Sequence, residues 1–395
     1  MDNGQTQPVP VTNDIGTICS GLSGNEMYCA SLLGLRPGNL LIGNSVFSMG
    51  IMGGLRSSVK TTIGGEVHAY TDMIQQGRGM AFGRLKSEMQ QHQGCGVTGV
   101  SNELVFHGNN IEFLSVGSAV HSANPAGSFT TSADAQELFC QVDAGYQPIS
   151  FVFGNVAYSI GVAGHIMANI RQLARGEVRA YSDLFNTTRN LALQRIVKEA
   201  QSVNANAVIG IETTILPFGT SGVQEMVMIG TASQHPLVSN IMPGSIATSD
   251  LTAEETWNIA KLGYMPMQLV LGTSVYSLGV VGGLKSAIKE MVHGEVNALT
   301  QMIYGARENS IAKLQQQATA VSADDVLGIK TYVYQLGGDL IEFLAIGTAV
   351  KRVNGLSTRS PQLPPQAIIR DKDTFINTAE LHFGVDLNTE TTDHQ

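Results

Sequence analysis

Apolar residues along this chain form two kinds of pattern, one typical of buried strands and one typical of amphipathic helices. The same succession of these patterns occurs three times. Runs rich in Val, Ile, Leu, Phe and Tyr predict buried strands, and longer segments with apolar residues at steps of three and four predict amphipathic helices. The predicted first strands are Leu40–Met49, Ile149–Ile160 and Met267–Leu278. The predicted long helices begin at Glu66, Glu177 and Glu295, each directly after a glycine that breaks an earlier helical segment. Two further strands, joined as a hairpin, close each unit.

The three units are copies of one module. The segment Gly43–Gly50 has the sequence GNSVFSMG, and it returns as GNVAYSIG at Gly154–Gly161 and as GTSVYSLG at Gly272–Gly279. Each copy is about the size of a small domain, so the repeat is not a solenoid of short units. We therefore predict an α+β fold of three tandem modules. Each module is a short helix followed by β-α-β-β, with a broken long helix on a three-stranded sheet.

Each module opens on the sequence of a capping box, in which an N-cap oxygen and a glutamate three residues later satisfy the first amides of a helix. The pairs are Ser23 with Glu26, Asp134 with Glu137 and Thr252 with Glu255. The predicted modules are residues 23–121, 134–233 and 252–351. A lone module would leave a sheet edge and a sheet face exposed, which predicts lateral association.

The ends of the chain are expected to lie outside the modules. Residues 1–22 are expected to form an N-terminal extension, whose polar segment Met1–Thr17 shows neither the basic nor the apolar region of a signal peptide. The tail, residues 352–395, contains Pro361, Pro364 and Pro365 and no fourth copy. We expect an extended or disordered tail with a short docking element around Phe375 to Phe383.

Composition narrows the classes of partner. The 395 residues carry a formal net charge of −9, which disfavours nucleic acid as a partner. Charged residues are 14% of the chain, against roughly 25% in a typical soluble domain. Because interface cores are depleted in charge, we expect a subunit interface. Three uncharged stretches leave a membrane alternative open, but their Gly, Ser, Thr and Pro favour buried strands and helices, so we predict no transmembrane segment.

The histidines and cysteines do not repeat with the modules. No two of the nine histidines share a repeat position, and Cys29 and Cys140 are matched by Asn258 in the third copy. No Cys-x-x-Cys or His-x-x-x-His pair occurs. We expect reduced thiols and a cytoplasmic protein, and any metal site that is built identically into all three copies cannot rest on His or Cys. No cofactor is predicted, and a metal ion bound in a single copy is the alternative.

Charged residues recur at three aligned positions. Each set has one member in every module: Glu66, Glu177 and Glu295; Arg78, Arg189 and Arg307; Glu112, Glu225 and Glu342. The first glutamates are expected to interact with the helix dipole, with a ligand role as the alternative. The arginines lie inside the apolar stripe of the long helix, where an unpaired arginine is rare. We expect each to contact a last-strand glutamate within or between modules, with an anion site as the alternative.

These residues resemble the YbjQ-like family, which carries the label of heavy-metal binding. The resemblance rests on the strand Gly272–Tyr276, the recurring arginine of the long helix, the segment Asn204–Gly210 and the closing segment Ile346–Val350. In the first copy, Gly94–Gly99 departs from that pattern. The resemblance implies a compact α+β subunit that assembles into a homopentameric ring. It implies no particular activity.

The repeats favour a scaffold over an enzyme. Ser48, Ser159 and Ser277 recur, but none lies in a Gly-x-Ser-x-Gly elbow and no histidine recurs beside them. Our first hypothesis is a non-enzymatic homo-oligomer in which five chains give three stacked rings, and a six-module ring from two chains is the alternative. A binder of a small ligand or a metal ion, using the Gly-rich turns or the ring interior, is the other hypothesis.

Overall fold

A computed structural model describes most of the chain. It covers residues 17–48, 65–125, 127–159, 176–218, 223–277, 297–337, 340–364 and 375–377. The predicted Gly-rich turns after the first strands, and the helical segment predicted from Leu55 to Ile63, lie outside these residues. The described chain has the mixed helix and strand content that the sequence predicts, arranged as three repeated modules.

Three short helices open the modules, and each begins at a complete capping box. The Ser23, Asp134 and Thr252 side chains accept from the amide three residues on, and Glu26, Glu137 and Glu255 accept from the N-cap amides. Three long helices follow the first strands, and one further helix lies in the second linker. In chain order the helices are α1 (Gly24–Leu32), α2 (His68–Gln91), α3 (Ala135–Asp143), α4 (Arg179–Ser202), α5 (Pro236–Ile241), α6 (Ala253–Lys261) and α7 (Asn297–Ala320).

Each module contributes a first strand and a hairpin to one antiparallel sheet, with the last strand in the middle. The strands of module 1 are β1 (Leu35–Ser48), β3 (Gly96–His107) and β4 (Asn110–Ser122). Those of module 2 are β6 (Gln147–Ser159), β8 (Ala207–Phe218) and β9 (Val223–Gln234). Those of module 3 are β11 (Tyr264–Ser277), β12 (Asp325–Gly337) and β13 (Leu340–Arg352).

Short strands extend these sheets to four or five strands and link the modules. The dipeptides β2 (Gly65–Glu66) and β7 (Gly176–Glu177) pair with the first strand of the next module. The linker strands β5 (Phe129–Thr130) and β10 (Ala247–Thr248) pair in parallel with β3 and β8 of the preceding module. The strand β14 (Phe375–Asn377) lies within the predicted docking element of the tail and pairs with β12.

Each long helix packs on the first strand of its own module at a glycine. At Gly154 a β-carbon would collide with the backbone of α4 at Ala192 and Ile196, and Gly43 and Gly272 are equally close to α2 and α7. These glycines therefore allow the helix to approach the sheet. The opposite face of the same strand points away from its own helix, because successive side chains alternate between faces.

Candidate assembly interface

A buried arginine and a buried glutamate join each pair of consecutive modules. Arg78 on α2 of module 1 binds Glu225 on β9 of module 2, at 3.0 Å between Nη2 and Oε2 and 3.3 Å between Nε and Oε1. Arg189 on α4 binds Glu342 on β13, at 2.8 Å between Nη2 and Oε2. All four side chains are at most 1% exposed. The predicted contact between arginine and last-strand glutamate thus lies between modules, at both junctions.

The remaining surroundings of the two arginines differ. Arg78 also donates to the carbonyl oxygen of Asn102, at 3.2 Å. The Arg189 guanidinium lies 4.6 Å from the ring centre of Tyr158, with Phe185 and Tyr334 within 6.0 Å. Burial raises the pKa of Glu342, and the facing Arg189 guanidinium opposes that rise. A pair this deeply buried needs both partners, since removal of one leaves an uncompensated charge.

Backbone and hydroxyl contacts repeat around each ion pair. The amide of Ala157 donates to Thr71 Oγ1, and the amide of Val275 donates to Ser182 Oγ, both at 2.9 Å. Thr71 and Ser182 occupy one repeat position, at which module 3 has Thr300. The two junctions are therefore one contact built twice. In each, the helix of one module covers the outer face of the first strand of the next.

The first glutamates do not lie where the sequence predicts. Glu66 and Glu177 lie in β2 and β7, before the helices begin, so the expectation of a first-turn interaction with the helix dipole is wrong. Glu66 binds Arg195 of module 2 at 2.6 Å, and Glu177 binds Lys313 of module 3 at 3.4 Å. Glu295 lies outside the described residues.

A second basic position recurs in all three modules, and the sequence analysis does not identify it. Arg84, Arg195 and Lys313 occupy equivalent sites on the long helices, and each also donates to a first-strand carbonyl of its own module. The signal was present in the alignment of the copies, because the position stays basic while it changes from arginine to lysine. Its role could not be deduced from one module alone, since its acidic partner belongs to the preceding one.

Arg307 of module 3 and the last-strand glutamate of module 1, Glu112, are the remaining members of the two sets, and the structure does not bring them together within the chain. Arg307 on α7 is exposed, whereas Arg78 and Arg189 are buried. Glu112 on β4 accepts from Asn44 at 2.9 Å and contacts His107 at 2.7 Å. These hydrogen bonds lower the pKa of the Glu112 carboxyl, and the one from Asn44 contributes more than the one from His107. The last module thus carries an arginine, and the first module a glutamate, at the two positions that form the buried ion pair in the internal junctions.

The described residues do not fit a heavy-metal site. Among the ranges that the structure covers, no group of three or more His, Cys, Asp or Glu side chains is placed to hold a metal ion. Cys29 and Cys140 are buried, and desolvation raises the pKa of Cys29 to about 11 and that of Cys140 further. High thiol pKa values disfavour the thiolate that a metal needs. In the same ranges, no helix is both long and apolar enough to cross a membrane.

Three equivalent α+β modules in one chain, held together by one repeated contact, define a tandem-module protein. The family described as "Putative heavy-metal-binding" matches residues 37–123, 145–235 and 257–353. The chain therefore belongs to this family, the YbjQ-like family of the sequence analysis, and contains three copies of its domain.

The similar proteins fall into two groups, those that match the chain over about the length of one module and one that matches it over a longer stretch. The chain is 38% identical over 96 residues to a UPF0145 protein of Pseudothermotoga lettingae, which covers 22% of the chain and 86% of that relative. It is 36% identical over 81 residues to a UPF0145 protein of Vibrio campbellii, which covers 20% of the chain and 77% of that relative. A longer match, 26% identical over 240 residues, is to the encapsulin nanocompartment protein Rv1762c of Mycobacterium tuberculosis, covering 59% of the chain and 90% of that relative.

Proposed function

We propose that this protein is a non-enzymatic scaffold, whose chains assemble into a ring or tube of YbjQ-like modules in the cytoplasm. The observation that carries this proposal is the contact that the chain builds twice, with the same ion pair, hydroxyl contact and strand pairing at both junctions. A contact that repeats in one direction continues until its ends meet, and it then forms a closed ring, or otherwise a filament.

The recurring polar residues support a structural role. Arg78, Arg189, Glu225 and Glu342 are engaged in ion pairs between modules, with side chains at most 1% exposed. The name of the relative Rv1762c associates that protein with an encapsulin nanocompartment, and we extend to this chain the idea of a part in a protein assembly.

The repeated contact favours the two-chain ring of six modules over five-chain stacked rings. In the stack, every module needs faces that are available to modules of other chains. The outer face of the first strand is already covered in modules 2 and 3 by the preceding module of the same chain. Module 1 alone presents it, so chains join end to end, in whole sets of three modules.

Native mass spectrometry of the untagged full-length chain tests the proposal. We expect a discrete complex of at least two chains at micromolar concentration. Two chains match the six-module ring, and five chains match the stack. A monomer under these conditions contradicts the scaffold function, whatever the arrangement.

A further inference from the structure

One face of the first strand is exposed in module 1 and buried in the other two modules. Leu40, Ile42 and Val46 are 42%, 53% and 58% exposed, and Asn44 between them is also exposed. We call these four residues the end face. Their counterparts in the other modules are buried: Phe151, Phe153, Asn155 and Ala157 in module 2, and Leu269, Leu271, Thr273 and Val275 in module 3.

The buried counterparts fill a groove of the preceding module. Phe151 and Phe153 of module 2 pack among Phe82, Leu85 and Val97 of module 1, with the rings of Phe82 and Phe151 5.2 Å apart. Leu269 and Leu271 of module 3 pack in the same way in module 2. Their partners there include Leu193, Ile196, Ala200, Val208 and Ile211.

The equivalent groove of module 3 is open. It has a volume of about 490 Å³ between α7 and β12. We call it the end groove, and its apolar lining residues are Ile311, Leu314, Ala318, Ala323, Val326 and Ile329. The chain therefore presents an apolar strand face at one end and, at the other, the groove that accepts such a face at both internal junctions.

Charge matches at the same two ends. Arg307 is exposed on the helix that borders the end groove, and Glu112 lies on β4, the strand paired with the end face. In the internal junctions these two positions form the buried ion pair. An arginine at one end and a glutamate at the other therefore complement each other in a head-to-tail contact and repel in a contact of like ends.

We propose that a second copy of this chain docks its end face into the end groove, with Arg307 of one copy binding Glu112 of the other. This inference rests on the proposed scaffold function and names the surfaces through which the chains join. Any ring closed through this contact contains whole chains, so its number of modules is a multiple of three. Five modules cannot close it, and two chains with six modules give the smallest such ring made from more than one chain.

The segment before α1 adds a strand to this contact. Ile18 and Cys19 precede the N-cap Ser23 by the same spacing that separates β5 from Asp134 and β10 from Thr252. Both linker strands pair in parallel with the preceding module, through Val97↔Thr130 and Val208↔Thr248. The same register sets Cys19 of one copy opposite Val326 of the other. The incoming chain thus extends the sheet of module 3 by β-strand addition.

Blocking each end separately tests the docking. Ile42→Lys places a charge on the end face, and Arg307→Glu places a carboxylate opposite Glu112. Both residues are exposed, so each variant is expected to fold, which circular dichroism checks. Each variant alone should be monomeric, and an equimolar mixture should form a dimer and nothing larger, because each retains one functional end. Met80→Lys, at an exposed apolar position outside both ends, should assemble like the wild type.

The outcomes separate this inference from the proposed function. If the wild type is monomeric, both fail. If the wild type assembles and neither variant changes the mass, or if the mixture remains monomeric, the scaffold function stands and the head-to-tail contact is wrong.

A crosslink gives a second readout that does not depend on loss of assembly. Val326→Cys, oxidised with diamide, should give disulfide-linked chains on a non-reducing gel, since Cys19 of another copy lies opposite in the proposed register. Adding Cys19→Ser to this variant should abolish the link. A crosslink that persists without Cys19, or none in a protein that still assembles, contradicts the register.

Discussion

The two internal junctions, between modules 1 and 2 and between modules 2 and 3, each contain an equivalent ion pair. The residues around the ion pair and in the adjoining linker differ between the two junctions. Arg78 completes its hydrogen bonding on a backbone carbonyl, whereas Arg189 lies among three aromatic rings. The second linker contains α5, whose Val238 is fully buried in a cluster with Ala144 and Tyr146. The first linker leaves a groove of about 500 Å³ in the corresponding region.

This difference separates what assembly requires from what distinguishes one copy from another. The ion pair, the hydroxyl contact and the strand pairing are the same at both junctions, so they define the geometry of the contact. The aromatic rings and the linker helix are specific to the second junction. Copy-specific packing of this kind disfavours exchange of modules between positions, because a foreign module would leave a cavity or a clash.

The largest expected effect is loss of an ion-pair partner. Arg189→Met leaves Glu342 buried without its counter-charge, and should lower the free energy of unfolding by about 3–5 kcal/mol. Arg78→Met should lower the free energy of unfolding within the same range, but by less than Arg189→Met. The difference arises because Arg189→Met also removes the contacts of the guanidinium with aromatic rings, worth about 0.5–2 kcal/mol. Urea unfolding monitored by circular dichroism measures both.

The control for this comparison is the exposed arginine. Arg307→Met should change the free energy of unfolding by less than about 0.5 kcal/mol, as is usual for surface substitutions. All three variants are made in the Ile42→Lys background, so that contacts between chains do not contribute. An equal loss for Arg307→Met would show that burial between modules is not the source of the effect.

The sequence predicts the module better than it predicts the contacts between modules. The capping boxes were readable because both partners lie within four residues, and the arginine and glutamate pairing because both positions recur. The sequence wrongly predicts Glu66 in the first turn of the long helix, because its two-residue strand exists only through pairing with Tyr158 and Ser159 of module 2. The apolar pattern of the first strand is alike in all copies. Its exposure in module 1 depends on the absence of a preceding module, which no local pattern encodes.

A smaller effect should come from the half-buried carboxyl of Glu137 at the second junction. Burial, together with the charges of the nearby Asp134 and Glu254, raises the pKa of Glu137 to about 8. The position of Glu254 is Gln136 in module 2, so this second acid is specific to the second junction. Because the folded-state pKa lies above the unfolded value, the stabilising contribution is complete below the unfolded pKa and is lost as the pH rises through about 8.

Substitution at Glu137 isolates this contribution. Glu137→Gln keeps a side chain that suits the capping box and removes the titration. Between about pH 5 and pH 9 the wild type should lose about 1–2 kcal/mol of unfolding free energy more than this variant, after allowance for partial solvent access. Glu254→Gln should reduce the loss without abolishing it. An identical pH profile for wild type and Glu137→Gln would refute the assignment.

The smallest effect should come from the ion pairs at the edges of the two junctions. Glu66 and Arg195 lie 2.6 Å apart, with side chains 8% and 25% exposed, whereas Glu177 and Lys313 lie 3.4 Å apart at 21% and 28%. Arg195→Ala should therefore cost more than Lys313→Ala, and both should cost no more than about 1 kcal/mol. Repeating the urea unfolding in 1 M NaCl should shrink the Lys313 effect more, because salt screens the more exposed pair better. A larger cost for Lys313→Ala would contradict this ranking, and would indicate that Lys313 acts mainly through its hydrogen bond to the Thr273 carbonyl inside module 3 and less through its pairing with Glu177 across the junction.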